Sequence, residues 1–439
     1  MEKIKQFVLG LFLASLLLRV LIVFALGEFE DPELYEHGLI AKNIMNGYGF
    51  TMHWPYEPLD QEMYEIYHQP PDYKGAFIPP LNPFLIYIVF SVFGINSLAY
   101  MVIMLINSIV GALTPVLAFL IAKELFSKKA AIMTAISAFI FIPAAYGVIT
   151  FSGAAIYQTL ALLVIYLTII SYKRKQLKSF LYLGLSCGLL TLTRAEFLAP
   201  AIMIVLFTPF FLKEANIKNK ISRATIAFSL FALLVSPWIY RNTMLYGKFT
   251  TIVTHPWHEV WRGNNYLSTG GSWGIDGHKA WISSEKHKDL IHRLDQIPFN
   301  QKREILIDSV LKEEVIATIK ENPHRALKII LKRIVFLWTI DTTADESSDP
   351  KYVVFIFLTL VPFTIGFVEF IKDSFREKEY FPFLLFMSLY VFYTTLFGLT
   401  NLEIRYQIYL YTLMLPLTGK GWLLLIEPIL LKVLPKKDS

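Results

Sequence analysis

Four carboxylates, Glu30, Asp31, Glu33 and Glu36, crowd into seven positions directly after the first long apolar segment of the chain. A carboxylate at a membrane surface suits general-base work, because partial burial lifts its pKa toward the working pH. Asp31, Glu30 and Glu36 are therefore candidate bases. The ordinary reading is a capped helix with a solvated acidic face. Pro32 fits a first helical turn, residues 33–46 read as a helix closed by Gly47, and Asp31 falls at or beside its N-cap. Further on, Trp54, Tyr56, Tyr64, Tyr67 and Tyr73 mingle with His53, His68, Glu57, Asp60, Glu62, Glu65 and Asp72. Aromatic faces with interspersed acids suit a sugar, and they equally suit an interfacial belt. Tyr35 and His68 are candidate sugar or acceptor contacts. No spacing in this stretch matches a known metal-ligand pattern. No cofactor is expected, with a divalent metal left open.

Three arginines, Arg19, Arg194 and Arg405, lie in or beside apolar segments. Burying a guanidinium costs several kcal/mol unless it is paired, so such residues face a cavity or a partner. Glu196 and Glu403 offer Arg194 and Arg405 internal ion pairs, which is the ordinary reading. The functional one is a site for a lipid phosphate, which guanidinium binds bidentately. A second polar stretch carries Trp257, His258, Trp261 and Trp273 around the turn residues Gly263-Asn264-Asn265 and Gly270-Gly271. Trp261, Asn264 and Asn265 are its candidate sugar contacts.

The elements that must position these residues are membrane helices. Of 439 residues, 55 % are hydrophobic and only 17 % charged, which excludes a soluble globule, a fibrous protein and disorder. About 20 apolar residues cross ~30 Å of hydrocarbon. Spans are predicted near 7–26, 97–122, 130–149, 151–171, 179–194, 196–212, 222–240, 351–371, 381–400 and 405–428. The first resembles a signal peptide but is long and lacks a small-x-small cleavage site, so a retained anchor is expected. Basic clusters at 3–5, 123–129, 173–178, 213–223, 372–378 and 432–437 all fall on one side if the N-terminus is cytoplasmic. The net charge of +6 is thereby explained by topology, and nucleic acid is not an expected partner. The single Cys187 allows no intrachain disulfide.

The expected organisation is an N-terminal transmembrane region over 1–240 containing an outer loop at 27–96. An extracytoplasmic region follows over 241–350, then a C-terminal transmembrane region over 351–439. Residues 81–94 are apolar but too short to span, and 326–340 interleave lysines with aliphatics; both read as interfacial helices. Residues 301–322 read as an amphipathic helix of the outer region.

Several stretches together resemble the GT-C glycosyltransferases of the protein O-mannosyltransferase type, including family 39 enzymes and aminoarabinose transferases. They are EDPELYEHGLIAKNIMNGYGF, FIPPLNPFLIYIVFSVFG, the Arg-Ala-Glu turn at 194–196, PWIYRNTMLYGKF, WRGNN, ENPHRALKIILKRIVFLW and RYQIYLYTLMLP. The resemblance implies a GT-C-like bundle of ten or more transmembrane helices with a helical outer face. It implies a polyprenyl-phosphate-linked sugar donor, used on the extracytoplasmic face of a plasma (inner) membrane without a required metal. It places the base at Asp31, although relatives have Asp-Glu where this chain has Glu30-Asp31-Pro32. Residues and resemblance together give Arg194, Arg405 and Arg241 to the donor phosphate, with inversion at the anomeric carbon. The acceptor, whether glycolipid, polymer or protein, is not specified. The alternatives are a lipid-linked saccharide transporter or flippase, and an O-antigen ligase-like enzyme; the absence of paired halves weighs against a transporter.

Overall fold

The computed structural model describes residues 2–54, 66, 69–213, 215–275, 282 and 286–433. Regular structure among them is helical. In chain order the α-helices are α1 (Glu2–Leu26), α2 (Tyr35–Met45), α3 (Leu81–Phe93), α4 (Ser97–Gly111), α5 (Leu113–Leu125), α6 (Lys128–Phe139) and α7 (Ile142–Tyr146). Next come α8 (Ala154–Arg174), α9 (Leu177–Thr193), α10 (Leu198–Phe207), α11 (Ile217–Tyr246), α12 (Pro256–Asn264) and α13 (Lys288–Asp295). The chain closes with α14 (Arg303–Glu321), α15 (Pro323–Trp338), α16 (Pro350–Arg376), α17 (Tyr380–Leu399) and α18 (Ile404–Val433).

All ten predicted spans are helical. Among the described residues seven helices are long and apolar enough to cross a bilayer, with α4 and α5 counted as one. The predicted 130–149 span is instead broken: α6 and the segment Ile142–Ile149 meet at 53°. Phe141 leaves the helical region (ψ 84) and Pro143 starts a new first turn, which restarts the helix in another direction. α9 and the 195–211 segment are apolar but shorter than a full crossing.

Close backbone approach holds the bundle together, as expected where lipid removes the hydrophobic drive between helices. A Cβ on Gly366 of α16 would stand 2.1 Å from the Leu417 carbonyl oxygen, and one on Gly421 of α18 1.7 Å from that of Pro362. The two glycines therefore let α16 and α18 touch backbone to backbone. α1 has the opposite character, with Leu9, Leu13, Leu17, Leu21 and Phe24 exposed along it. Ser15, Arg19 and Val23 form its buried face, and Arg19 donates to Ser15.

Charge sorts the two ends of the bundle. At one end Lys213 pairs with Glu379 (3.2 Å), Tyr172 donates to Glu379 (2.6 Å), Arg223 donates to the Lys175 carbonyl (3.0 Å) and Lys420 pairs with Asp373 (3.4 Å). The predicted basic clusters at 173–178, 213–223 and 372–378 thus converge in space. Elements of the 241–350 region gather at the other end with the first loop, where Arg241 donates to the Gly75 carbonyl and Glu304 accepts from the Ala76 N–H. On α15, Leu327, Leu331 and Val335 are exposed at four-residue spacing beside exposed Lys328 and Lys332. Arg333, by contrast, is buried and donates to the carbonyls of Gly398 and Gly263.

The helix predicted over 33–46 forms over Tyr35–Met45, with Gly47 following at φ +86, but it starts two residues late, its N-cap is Leu34, and no side chain caps it. Tyr35 sits at φ +50, so the helical path cannot run back to Pro32. Asp31 is exposed in the bend before it and caps nothing.

Candidate active site

α9 ends at Thr193, and Arg194 follows in extended backbone before a 3₁₀ turn over Ala195–Phe197. That break turns the Arg194 side chain back over the end of the bundle opposite the basic clusters. Its Nε donates to Glu196 Oε1 at 2.7 Å. Its guanidinium faces the rings of Tyr409, Tyr406 and Tyr157, at 4.9, 5.7 and 5.8 Å from their centroids. Arg405 begins α18 and pairs through Nε with Glu403 Oε2 at 2.5 Å, with its guanidinium 5.4 Å from the same Tyr406 ring. Both expected ion pairs form, yet each uses only Nε. Among the described residues, the terminal nitrogens of Arg194 and Arg405 donate to nothing, and none of them is sealed from solvent. Two guanidinium forks therefore share one tyrosine and remain open to an anion.

The charge chain continues into α12. Arg262 pairs with Glu403 and with Glu259 Oε2 (3.7 Å), and the Tyr406 hydroxyl donates to that same oxygen at 3.3 Å. Glu259 Oε1 instead faces His258 Nδ1 at 3.6 Å and His255 Nε2 at 3.9 Å. Burial alone would raise the Glu259 carboxyl, but Arg262 foremost and the two histidines hold it well below the ordinary range. Three guanidiniums (Arg194, Arg262, Arg405) and three carboxylates (Glu196, Glu259, Glu403) balance one another. That balance makes burial of such a group tolerable.

α2 brings the first outer loop to this group. His37 is buried and pushed down to about 3, by burial first and then by the fields of Arg194 and Arg405. Tyr35 is raised to about 12 by burial and then by Glu33, which accepts from it, while Arg405 acts in the opposite sense. Glu36 is half-buried in the first turn of α2, and Glu30 is exposed. The Asp31 charge acts on Tyr100, at the outer end of α4.

Other candidates have different duties. Arg241 Nη1 donates to the Gly75 carbonyl (2.7 Å) and to Asn242 Oδ1 (2.9 Å), with its guanidinium 4.5 Å from the Trp238 ring centroid. It ties the first loop to α11 and is not brought to the open forks. Trp261 is 2 % exposed and packs edgewise on His287. Asn264 Nδ2 donates to the carbonyls of Val260 and Leu399, and Asn265 Nδ2 to that of Trp261. All three are buried scaffold, because residues expected as a turn form the end of α12. Gly263 is required there: a Cβ would stand 1.7 Å from the Thr400 carbonyl oxygen. His68 lies outside the described residues.

The sequence reading missed His255, Glu259 and Arg262. Their spacing of four and then three residues marks one helical face, and it was legible once 256–264 was taken as a helix.

Residues 78–240 match the family model described as dolichyl-phosphate-mannose-protein mannosyltransferase. Among solved structures, the archaeal oligosaccharyltransferase AglB from Archaeoglobus fulgidus, in complex with an inhibitory peptide and a dolichol-phosphate, is 15 % identical with a TM-score of 0.57. That likeness covers 99 % of this chain and 53 % of the other. This is a GT-C fold. The same oligosaccharyltransferase tethered to an acceptor peptide gives a TM-score of 0.56 at 15 % identity, over 99 % and 51 % of the two chains. ArnT from Cupriavidus metallidurans bound to undecaprenyl phosphate is 12 % identical over 98 % of this chain and 81 % of that one, with a TM-score of 0.43. No curated protein matches the chain by sequence. The chain spans about half the length of the oligosaccharyltransferase. The chain shares the fold of these proteins, matches the mannosyltransferase family model over part of its length, and has several apolar helices of membrane-crossing length.

Proposed function

We propose that the chain transfers a sugar from a polyprenyl-phosphate donor to an acceptor hydroxyl or amine at the extracytoplasmic membrane surface. The observation that carries this reading is the pair of open forks. Arg194 and Arg405 are each anchored by Nε to a carboxylate, so their terminal nitrogens face space at fixed orientation. A phosphate accepted there gains charge as its bond to the anomeric carbon breaks. Donors already in place stabilise that charge without reorganising. The acceptor oxygen or nitrogen attacks the anomeric carbon from the opposite face, the sugar is inverted, and the lipid phosphate departs with the bonding electron pair. Asp31 takes the acceptor's proton and returns it to water.

Further support comes from the relative's complex with dolichol-phosphate and from the phosphate-linked donor in the family description. The wide separation of the basic end from the arginine end supports a cytoplasmic N-terminus and an external site. In this reading Tyr35 and Glu36 face the sugar or acceptor from α2, and the acceptor class is left to experiment.

The test is Asp31→Asn in membranes holding normal amounts of the protein. Transfer is expected to fall at least about 100-fold while retention of the lipid-phosphate donor is unchanged. Near-wild-type turnover removes Asp31 from the role. Parallel replacement of Glu30 and Glu36 shows whether either carries it instead.

A further inference from the structure

His255, His258 and Glu259 place their ligating atoms within 4.8 Å of one another at the start of α12. The sequence HPWHE explains this, because positions i, i+3 and i+4 fall on one face of a helical turn. Ligand atoms on a tetrahedral ion with bonds of about 2.1 Å stand roughly 3.4 Å apart. The observed separations from Glu259 Oε1, 3.6 Å to His258 and 3.9 Å to His255, need only a small closure. They are too long for hydrogen bonds.

The nitrogens themselves are left unsatisfied. Both ring nitrogens of His258 and Nδ1 of His255 are buried, with no hydrogen-bond partner among the described residues. His258 is thus a buried imidazole with neither nitrogen satisfied, and an ion held between Glu259 Oε1 and His255 Nε2 would take up its Nδ1. The surroundings hold the group as a second shell does. Asp308 accepts from the backbone N–H of Trp257 (2.9 Å) and of His258 (3.1 Å), fixing the helix start. Phe77 stacks on the His255 ring at 4.1 Å, and Trp54 packs edgewise on His258 at 5.2 Å. Arg262 and Tyr406 occupy Glu259 Oε2, so Oε1 alone is directed to the histidines.

We propose that His255, His258 and Glu259 bind one divalent transition-metal ion, with an oxygen ligand completing a tetrahedron. Two imidazoles and a carboxylate favour Zn²⁺ over the hard cations Mg²⁺ and Ca²⁺. Glu403 and Glu196 offset the repulsion between the ion and the nearby guanidiniums. The ion would fix α12 against the first outer loop through Phe77 and Trp54. The test of this site does not use activity.

The experiment takes the full chain in lipid nanodiscs, stripped by a chelator, and titrates it with Zn²⁺ and with Co²⁺. One equivalent of Zn²⁺ is expected to bind, and one equivalent of Co²⁺ to give the intense visible bands of a four-coordinate ion. His258→Ala and Glu259→Gln are expected to weaken binding at least 100-fold, and Mg²⁺ at the same concentration not to compete. Zn²⁺ is expected to raise the unfolding temperature of the unsubstituted chain and not of the variants. Binding below one equivalent, an octahedral Co²⁺ spectrum, or equal affinity in both variants overturns the site. If His258→Ala fails to fold, His255→Gln takes its place, and the Co²⁺ spectrum of the unsubstituted chain decides by itself.

Discussion

Arg194 shows how much one side chain owes to its neighbours. A guanidinium at the end of an apolar helix is costly unless paired, and Glu196 supplies the pair through Nε. Binding a phosphate needs the planar fork as well as the charge, so Arg194→Lys is expected to lower transfer by about 10²–10³-fold despite keeping the cation. A donor titration separates lost binding from a slower chemical step. Glu304 makes a different point. It is buried and accepts from the Ala76 N–H (2.9 Å), Thr254 Oγ1 (2.8 Å) and the Tyr246 hydroxyl (2.5 Å), tying the first loop to α14. Burial outweighs those bonds and raises its pKa. The fold therefore favours its protonated form, and this contribution is fully present in the ordinary carboxylate range and below. It is lost as pH rises toward the raised value. Glu304→Gln keeps an acceptor in place, and unfolding temperatures followed across pH are expected to lose that part of the slope.

Among the elements, the crossing of α16 and α18 sets the tightest steric demand. Gly421→Val would drive a side chain into the Pro362 carbonyl, and a cost of at least about 1–3 kcal/mol is expected from overpacking. Gly10 on α1 has nothing within 4 Å of an added Cβ, so Gly10→Ala is expected to be neutral. Thermal unfolding in one detergent compares the two. The break between α6 and the 142–149 segment matters for the site as well, because it carries Tyr146 to the neighbourhood of Tyr35.

For the whole molecule, the sorting of charge to two ends makes orientation measurable. Cys187 is buried and is the sole cysteine, so Cys187→Ala gives a background free of thiols. On it, Lys320→Cys, at the end carrying the arginine forks, is expected to react with a membrane-impermeant maleimide added to intact cells. Lys378→Cys, at the basic end, is expected to react only after lysis. The reverse pattern would invert the proposed placement of the active site.

Hydropathy was enough to place seven of the ten predicted spans, since twenty apolar residues in a row leave a chain no other solvent than lipid, but it could not show the break at 141 or the short helices at 177–193 and 195–211. Basic-residue spacing likewise gathered the clusters at 123–129, 173–178, 213–223 and 372–378 on one side before contacts such as Lys213–Glu379 brought them together. The Glu196 and Glu403 partners of Arg194 and Arg405 were legible because they lie two residues away in the chain. Three-dimensional packing decided what local order could not. It carried Arg241 off to Gly75, buried Trp261, Asn264 and Asn265 as scaffold, and set Arg262 between Glu403 and Glu259. A guanidinium is the same cation wherever it stands in the sequence, and whether its terminal nitrogens meet a carbonyl or open space depends on residues more than a hundred positions away.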